Sequence, residues 1–374
     1  MHYPDPKYFD YAASCPPYQE ALKEFTNMSI RHFANPSSSH HHGITAHKVM
    51  LSLKKELCDL VHFFDGRLLL CSSGTEANNT IIEGHIRRNP QARFLIAEDA
   101  HDCIWYATDK YKQQTEILPI DHLGRINLET FKRLLKNEIS LVCLNHVSNE
   151  LGTVHPVSAI ADICSFHDIK LLVDGVQAIG KIPVDLSAIS CDYYSFSSHK
   201  FGGPRSVGGV FIRDGEFAPM HTGGKQEWNL RAGTENVAGM AASLVAIQLC
   251  LEKLDTETVR LRRLRNYFID GITRFLPDVL INGSRDSLPG LISLSVPGRS
   301  SQKIIAGLSL SGFGLSAGSA CHASQVEPSR IIQAIGRTRK EAEGTIRISM
   351  GYGTTEESVN SLLVTLVKFI RDNG

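Results

Sequence analysis

The sequence predicts an α/β protein built around a mostly parallel sheet. Two observations predict it. Short β-rich runs alternate along the chain with stretches of helical period, and these runs are apolar throughout instead of alternating, the pattern of strands covered by helices on both faces. The length, 374 residues, and the 42% hydrophobic content are enough to fill a sizeable core and leave room for a second, smaller unit.

The strands are read in order as RLLLC (67–71), RFLIA (93–97), ISLVCL (139–144), IKLLVD (169–174), CDYYSFS (191–197) and GGVFI (208–212), separated by helical stretches such as VSAIADICSFHD. One long helix is expected over 235–253 and another over 260–275. Beyond them LISLSV (291–296), a helix around SQKIIAGLSLS, TIRISM (345–350) and a last helix over 356–371 form the smaller α/β unit. There is no internal repeat and no low-complexity linker.

Lys plus Arg and Asp plus Glu both number 39, so no global charge draws the chain to nucleic acid or a membrane surface. Arg260, Arg262, Arg263 and Arg265 cluster within one helical stretch and are read as a solvated face. The N-terminus MHYPDPKYFDY has no basic segment leading into an apolar run, and no window offers a membrane-length apolar stretch, so a cytoplasmic protein is expected. The nine cysteines include no C-x-x-C pair, which suggests neither a disulfide framework nor a structural zinc site. Cys71 and Cys143 lie in apolar runs and read as core residues. Cys321 does not. It sits in SAGSACHAS, a loop composition without apolar period, where a thiolate could act as a nucleophile.

In open α/β sheets ligands settle beyond the carboxyl ends of the strands, and three strand ends here carry suggestive residues. After RLLLC comes SSGTEANN, whose glycine and hydroxyls open a helix and suit a phosphate; an ordinary helix cap by Ser73 or Thr75 is the alternative. After IKLLVD, Asp174 stands at the strand end with Gln177 three residues on; it could pair with a pyridinium nitrogen or simply cap. After CDYYSFS comes SFSSHKFGGP, in which Lys200 is either a turn residue or a lysine kept neutral by burial for a Schiff base. Together an anion cradle, an acid and a lysine in this arrangement call for pyridoxal 5'-phosphate.

In these motifs the chain resembles the class V aminotransferase-fold enzymes, and within them the cysteine desulfurases of the NifS/IscS-like group. The resemblance runs from YFDYAAS (8–14) through NPSSSHHHG (35–43), SSGTEANN (72–79), HVSNELGTV (146–154), VDGVQAIGKIPVDL (173–186), SFSSHKFGGP (195–204), RAGTENV (231–237) and SAGSACHASQVEPS (316–329) to IRISMGYGTTEE (346–357). It implies fold type I of the pyridoxal-phosphate transferases: a large domain over 14–254 with a mostly parallel seven-stranded sheet, and a small domain of 1–13 and 255–374 bearing the Cys321 loop. It implies Lys200 as Schiff-base lysine, Asp174 on the ring nitrogen and Gln177 on the ring hydroxyl. Gly74, Thr75, Ser197 and His199 would hold the phosphate, and Thr234 would reach the phosphate in a neighbouring subunit, which implies a homodimer with shared sites. His101 would stack on the ring and assist proton transfer, Asn149 would contact cofactor and substrate, Asn35 the substrate, and Arg347 the substrate carboxylate. The implied reaction turns L-cysteine into L-alanine and leaves a persulfide on Cys321 for a sulfur-acceptor protein, with iron–sulfur cluster assembly and tRNA thiolation among the outlets. A selenocysteine lyase or another class V enzyme shares the cofactor residues, and a non-catalytic sulfur-relay partner is the other alternative. Neither membrane nor nucleic-acid binding is expected. Ser198, Ser206, Ala317, His322, Tyr352 and the pair Trp228–Asn229 depart from the group's pattern without removing a group the chemistry needs.

Overall fold

The structure is a computed structural model that describes residues 3–135, 138–318 and 328–373. Its strands are β1 (Arg67–Cys71), β2 (Arg93–Ala97), β3 (Thr115–Leu118), β4 (Ile139–Asn145), β5 (Lys170–Asp174), β6 (Tyr193–Ser197), β7 (Gly208–Ile212), β8 (Leu280–Asn282), β9 (Leu291–Ser295) and β10 (Thr345–Ser349). The first seven form one sheet in the order β1-β7-β6-β5-β4-β2-β3. Only β7 runs against its neighbours. The expected α/β class with a mostly parallel seven-stranded sheet is therefore what the chain forms.

Both faces of this sheet are buried, and the two-residue period sorts its side chains. Leu68 and Leu70 of β1, Val142 and Leu144 of β4 and Leu171 and Val173 of β5 enter one core with the helices Gln19–Arg31, His41–Leu60 and Val237–Glu252. Leu69 and Cys71, Leu141 and Cys143, and Leu172 enter the other, under the helices Gly74–Arg88 and Asp102–Asp109. The apolar runs of the inner strands follow directly, since both of their faces are covered.

β8, β9 and β10 make a separate antiparallel sheet in the order β10-β9-β8. The helices Leu254–Phe275, Ser301–Leu310 and Glu356–Asp372 cover it with a core of their own, in which Phe9 from the N-terminal segment is completely buried. The helix expected to begin at 260 begins at Leu254, immediately after Val237–Glu252, and the two meet at a 68° bend. The basic stretch on it is not a solvated face throughout. Arg265 is buried and donates to the carbonyls of Leu291, Ser284 and Arg285, and Arg260 to those of Gly351 and Thr354. Tertiary carbonyls, invisible in the local sequence, recruit these guanidinium groups. Among the described residues no single helix is long and apolar enough to cross a membrane.

One glycine shows how tightly the sheet packs at its carboxyl edge. A Cβ on Gly175, directly after β5, would lie 1.9 Å from the ring of Tyr194, which is buried and hydrogen-bonded through its hydroxyl to His146 Nδ1 at 2.7 Å. The ring has no free direction in which to yield. Gly175→Ala is expected to destabilise the fold by about 1–3 kcal/mol, the usual range for overpacking, read as a lowered urea midpoint; an unchanged midpoint would show that the ring can move.

Candidate active site

The carboxyl ends of β1, β5 and β6 open onto one cavity of about 240 Å³. Apart from Asn35 and Thr234, every described site residue expected from the sequence lines it. Parallel alignment is the reason, because β5 and β6 end side by side and the residues that follow them cannot avoid one another.

At the end of β1, Ser73 caps the helix Gly74–Arg88 by accepting from the amide of Glu76 at 3.1 Å. The capping reading of this motif is thus correct, and it leaves the helix N-terminus facing the cavity through Gly74 and Thr75. A Cβ at Gly74 would meet Val176 Cγ2 at 2.5 Å, so a side chain there would fill the cradle. Ser197, buried at the end of β6, and His199 lie on the same cavity. Burial pushes the His199 imidazole down to about 4, helped by the positive charges of Lys200, Lys181 and Arg205. At neutral pH it is an uncharged hydrogen-bonding ring.

Lys200 ends the tight turn Ser198–Lys200 that follows β6. Its Nζ donates to the carbonyls of Ala12 at 2.8 Å and Ala13 at 2.9 Å. The paired glycines behind it have separate causes. Gly202 takes a left-handed backbone, φ +85°, and a Cβ on Gly203 would strike Ser198 Oγ at 1.9 Å. Ser198 is fully buried and satisfied by Ser243 Oγ at 2.6 Å, which accounts for a serine at this position.

Asp174 is only 6% exposed and both of its oxygens are engaged, Oδ2 by Asn78 Nδ2 at 2.8 Å and Oδ1 by the amide of Val176 at 3.0 Å. Gln177 donates from Nε2 to the Ala12 carbonyl at 2.7 Å and accepts from Lys181 Nζ. His101 caps the helix Asp102–Asp109, its Nδ1 accepting from the amide of Cys103 at 3.1 Å. This fixes the tautomer: a neutral ring accepting at Nδ1 carries its proton on Nε2. Burial lowers the His101 pKa despite the opposing charge of Asp174, which favours that neutral ring.

Arg347, from β10, is 2% exposed. It donates to Asp10 Oδ1 at 3.1 Å, Ser316 Oγ at 3.0 Å and the carbonyl of Asn149 at 2.9 Å, and its Nε has no partner. Asn149 Oδ1 is buried without a partner as well. Orphaned groups lining a cavity are sites where a ligand completes the hydrogen bonding.

Asn35 and Thr234 stand apart. They are exposed and hydrogen-bonded to each other at 3.5 Å. Cys321 and His322 lie outside the described residues. On either side of them, however, Gly318 and Ser329 converge on one buried carboxyl: Glu150 accepts from Ser329 Oγ at 2.6 Å, and a Cβ on Gly318 would lie 2.6 Å from Glu150 Oε2. Burial pushes the Glu150 carboxyl up.

Ligand atoms of His101, Cys103 and Asp174 lie within 4.8 Å of one another. As a metal site the trio is poorly prepared. Burial raises the Cys103 thiol above its usual range, keeping it protonated, and Asp174 already accepts two hydrogen bonds. An anion cradle, a buried acid and a lysine on one cavity suit a phosphorylated aromatic aldehyde better. Sequence reasoning assigned no role to Asp10, Asn78, the Ala12 carbonyl, Glu150 or Lys181, although each lies inside a motif it singled out.

The class V aminotransferase family matches residues 7–362. The cysteine desulfurase IscS of Dictyoglomus turgidum is 34% identical, over 97% of this chain and 94% of that protein. A solved NifS-like protein superposes with a TM-score of 0.90 at 28% identity, covering 98% of this chain and 100% of its own. The structure of SspA in complex with cysteine superposes with a TM-score of 0.78 at 25% identity, covering 92% and 98% respectively.

Several histidines are neutral by burial, and this has a sign. His85, His146 and His199 are each pushed down to about 4 from 6.5, by burial first. Below pH 6.5 the unfolded chain takes up protons that the folded chain refuses, so the contribution of these histidines to stability is expected to fall between pH 6.5 and 4. Urea midpoints across that range check it, with His85→Gln expected to flatten part of the slope. A midpoint constant down to pH 5 would contradict it.

Proposed function

Because the chain belongs to the class V aminotransferase family, and within it to the cysteine desulfurases, we propose that it converts L-cysteine to L-alanine and carries the released sulfur on Cys321 as a persulfide destined for an acceptor protein. The observation that carries this reading is the meeting of Lys200, Asp174 and the helix N-terminus at Gly74 on one cavity. Pyridoxal phosphate is the cofactor these residues fit. When bound it supplies a carbonyl carbon for an amine and an electron-withdrawing ring.

The remaining work falls to the chain's own side chains. The Gly74 and Thr75 amides, the Ser197 hydroxyl and the neutral His199 ring hold the phosphate. Asp174, its carboxylate steadied by Asn78 and the Val176 amide, holds a proton on the ring nitrogen, and Gln177 offers an N–H to the ring hydroxyl. His101 would face the ring as an uncharged imidazole. Arg347 pairs with the substrate carboxylate, beside Asn149. Lys200 Nζ removes the proton from the substrate α-carbon. Cys321 Sγ then attacks the substrate sulfur as a thiolate: an S–S bond forms, the Cβ–S bond breaks, and its electron pair stays with the carbon, which takes up a proton. Cysteine and one thiol thus become alanine and one persulfide, without oxidant or reductant.

The exposed Asn35–Thr234 pair lies outside its own chain's cavity and suits a site shared between two copies, with Ile30 and Phe33, each more than 70% exposed, close by in sequence. The division into 14–254 and 1–13 with 255–374 belongs to the same reading, supported by the place of Phe9 in the second core.

Two experiments test these assignments. Cofactor-loaded protein given L-cysteine is expected to form alanine and a persulfide on Cys321 in equal amounts; Lys200→Ala loses both, whereas Cys321→Ser keeps the visible spectrum and loses the persulfide. Parental turnover by the serine variant would remove Cys321 from the reaction. For the shared site, Lys200→Ala and Thr234→Ala proteins mixed under exchange conditions are expected to regain activity, since one site of the hybrid is intact. A mixture no more active than its components would show that each chain completes its own site.

A further inference from the structure

Lys181 is used by none of the steps above, yet it shares a wall with Lys200. A second cavity, of about 90 Å³, is lined by both lysines together with Cys15, Tyr18 and Cys250. The Lys181 Nζ donates to Gln177 Oε1, four residues before it in the same turn segment, and Gln177 Nε2 donates in turn to the Ala12 carbonyl that also accepts from Lys200.

The orientation of the Gln177 amide follows from donor and acceptor capacity alone. The Ala12 carbonyl only accepts, so it must face the amide nitrogen; that leaves the amide oxygen to Lys181, whose ammonium can only donate and whose neutral amine can donate as well. One of the two N–H bonds of that nitrogen goes to Ala12. The other is what Gln177, buried and lining the main cavity, has left to offer a ligand.

We propose that Lys181 is a positioning residue for the reaction: it locks the Gln177 amide so that an N–H, not the carbonyl oxygen, meets the ring oxygen of the cofactor. The inference rests on the cofactor reading given above. The groups that face Lys181 electrostatically are Lys200, Arg347, Cys15 and Cys250; burial first, and then the charge of Lys200, pushes its own amine down to about 7. Either protonation state can donate to Gln177, so the lock does not depend on that titration.

The test is the pH dependence of the visible absorbance of the cofactor-loaded protein without substrate, a quantity separate from turnover. A ring oxygen deprived of its N–H donor becomes more basic and holds the neighbouring proton more tightly. Lys181→Met is therefore expected to raise the spectral midpoint by about one pH unit, a tenfold change in proton affinity, whereas Lys181→Arg, which keeps a donor, stays within about threefold of the parent. In a Gln177→Leu background the Lys181→Met shift is expected to vanish, because the lysine acts through the glutamine. Gln177→Leu alone, which removes the same N–H, should reproduce the rise and serves if the methionine variant does not fold. A Lys181→Met or Gln177→Leu titration that overlays the parent overturns the inference, as does a Lys181→Met shift persisting in full in the Gln177→Leu background. A parent protein that takes no colour from pyridoxal phosphate defeats the cofactor reading itself, and this inference with it.

Discussion

The carbonyl oxygen of Ala12 accepts two side-chain hydrogen bonds at once, from Gln177 Nε2 at 2.7 Å and from Lys200 Nζ at 2.8 Å. A carbonyl has two lone pairs, and this one uses both. The lysine after β6, the glutamine after β5 and the N-terminal segment are thereby referred to a single atom. The segment is held in place by both sheets. Phe9 is buried against the small one and exchanges backbone hydrogen bonds with Gly314 and Ser349, while the amide of Cys15 donates to the His199 carbonyl beside the large one. A stretch of a few residues with no strand or helix of its own thus sets the position of the Lys200 amine.

The cavity around that atom is arranged to keep its charges few and paired. Arg347 is almost wholly buried, which would be costly were its guanidinium not held by Asp10, Ser316 and the Asn149 carbonyl. Asp174 is buried but accepts from an amide and an asparagine. The two histidines on the cavity are driven towards neutrality by burial. In a site of low dielectric the remaining interactions are stronger than in water, and an incoming anionic ligand meets donors already aimed and little competing charge.

Much of this was legible beforehand because strand ends are local. RLLLC, RFLIA and GGVFI match β1, β2 and β7 residue for residue, and the residues that follow β1, β5 and β6 are the ones that converge. The strands that escaped, β3 and β8, are four and three residues long and lie at sheet edges, where neither full apolarity nor strict alternation is imposed. The helix boundary was misplaced by six residues because Lys253 interrupts the chain by a bend and not by a glycine or proline. Asp10, Asn78 and Lys181 remained without roles for a different reason. Asp10 and Asn78 act on side chains far away in sequence and Lys181 on one four residues before it, and none of these three residue types shows its partner in the sequence. The departures at Ser198 and Tyr352 are likewise resolved by partners: Ser243 for the serine, and for Tyr352 a stack on Tyr18 at 4.5 Å with its hydroxyl on the Pro16 carbonyl.

The pairing of Asp10 with Arg347 joins positions 337 residues apart in sequence. On a ribosome the aspartate is made long before its partner, so the large sheet can assemble while the guanidinium that lines the cavity has not yet been made. From the synthesis of Lys200 until that of Arg347 the nascent chain therefore lacks the guanidinium that lines the cavity. Arg347 arrives only with β10, after every strand of the large sheet has been made.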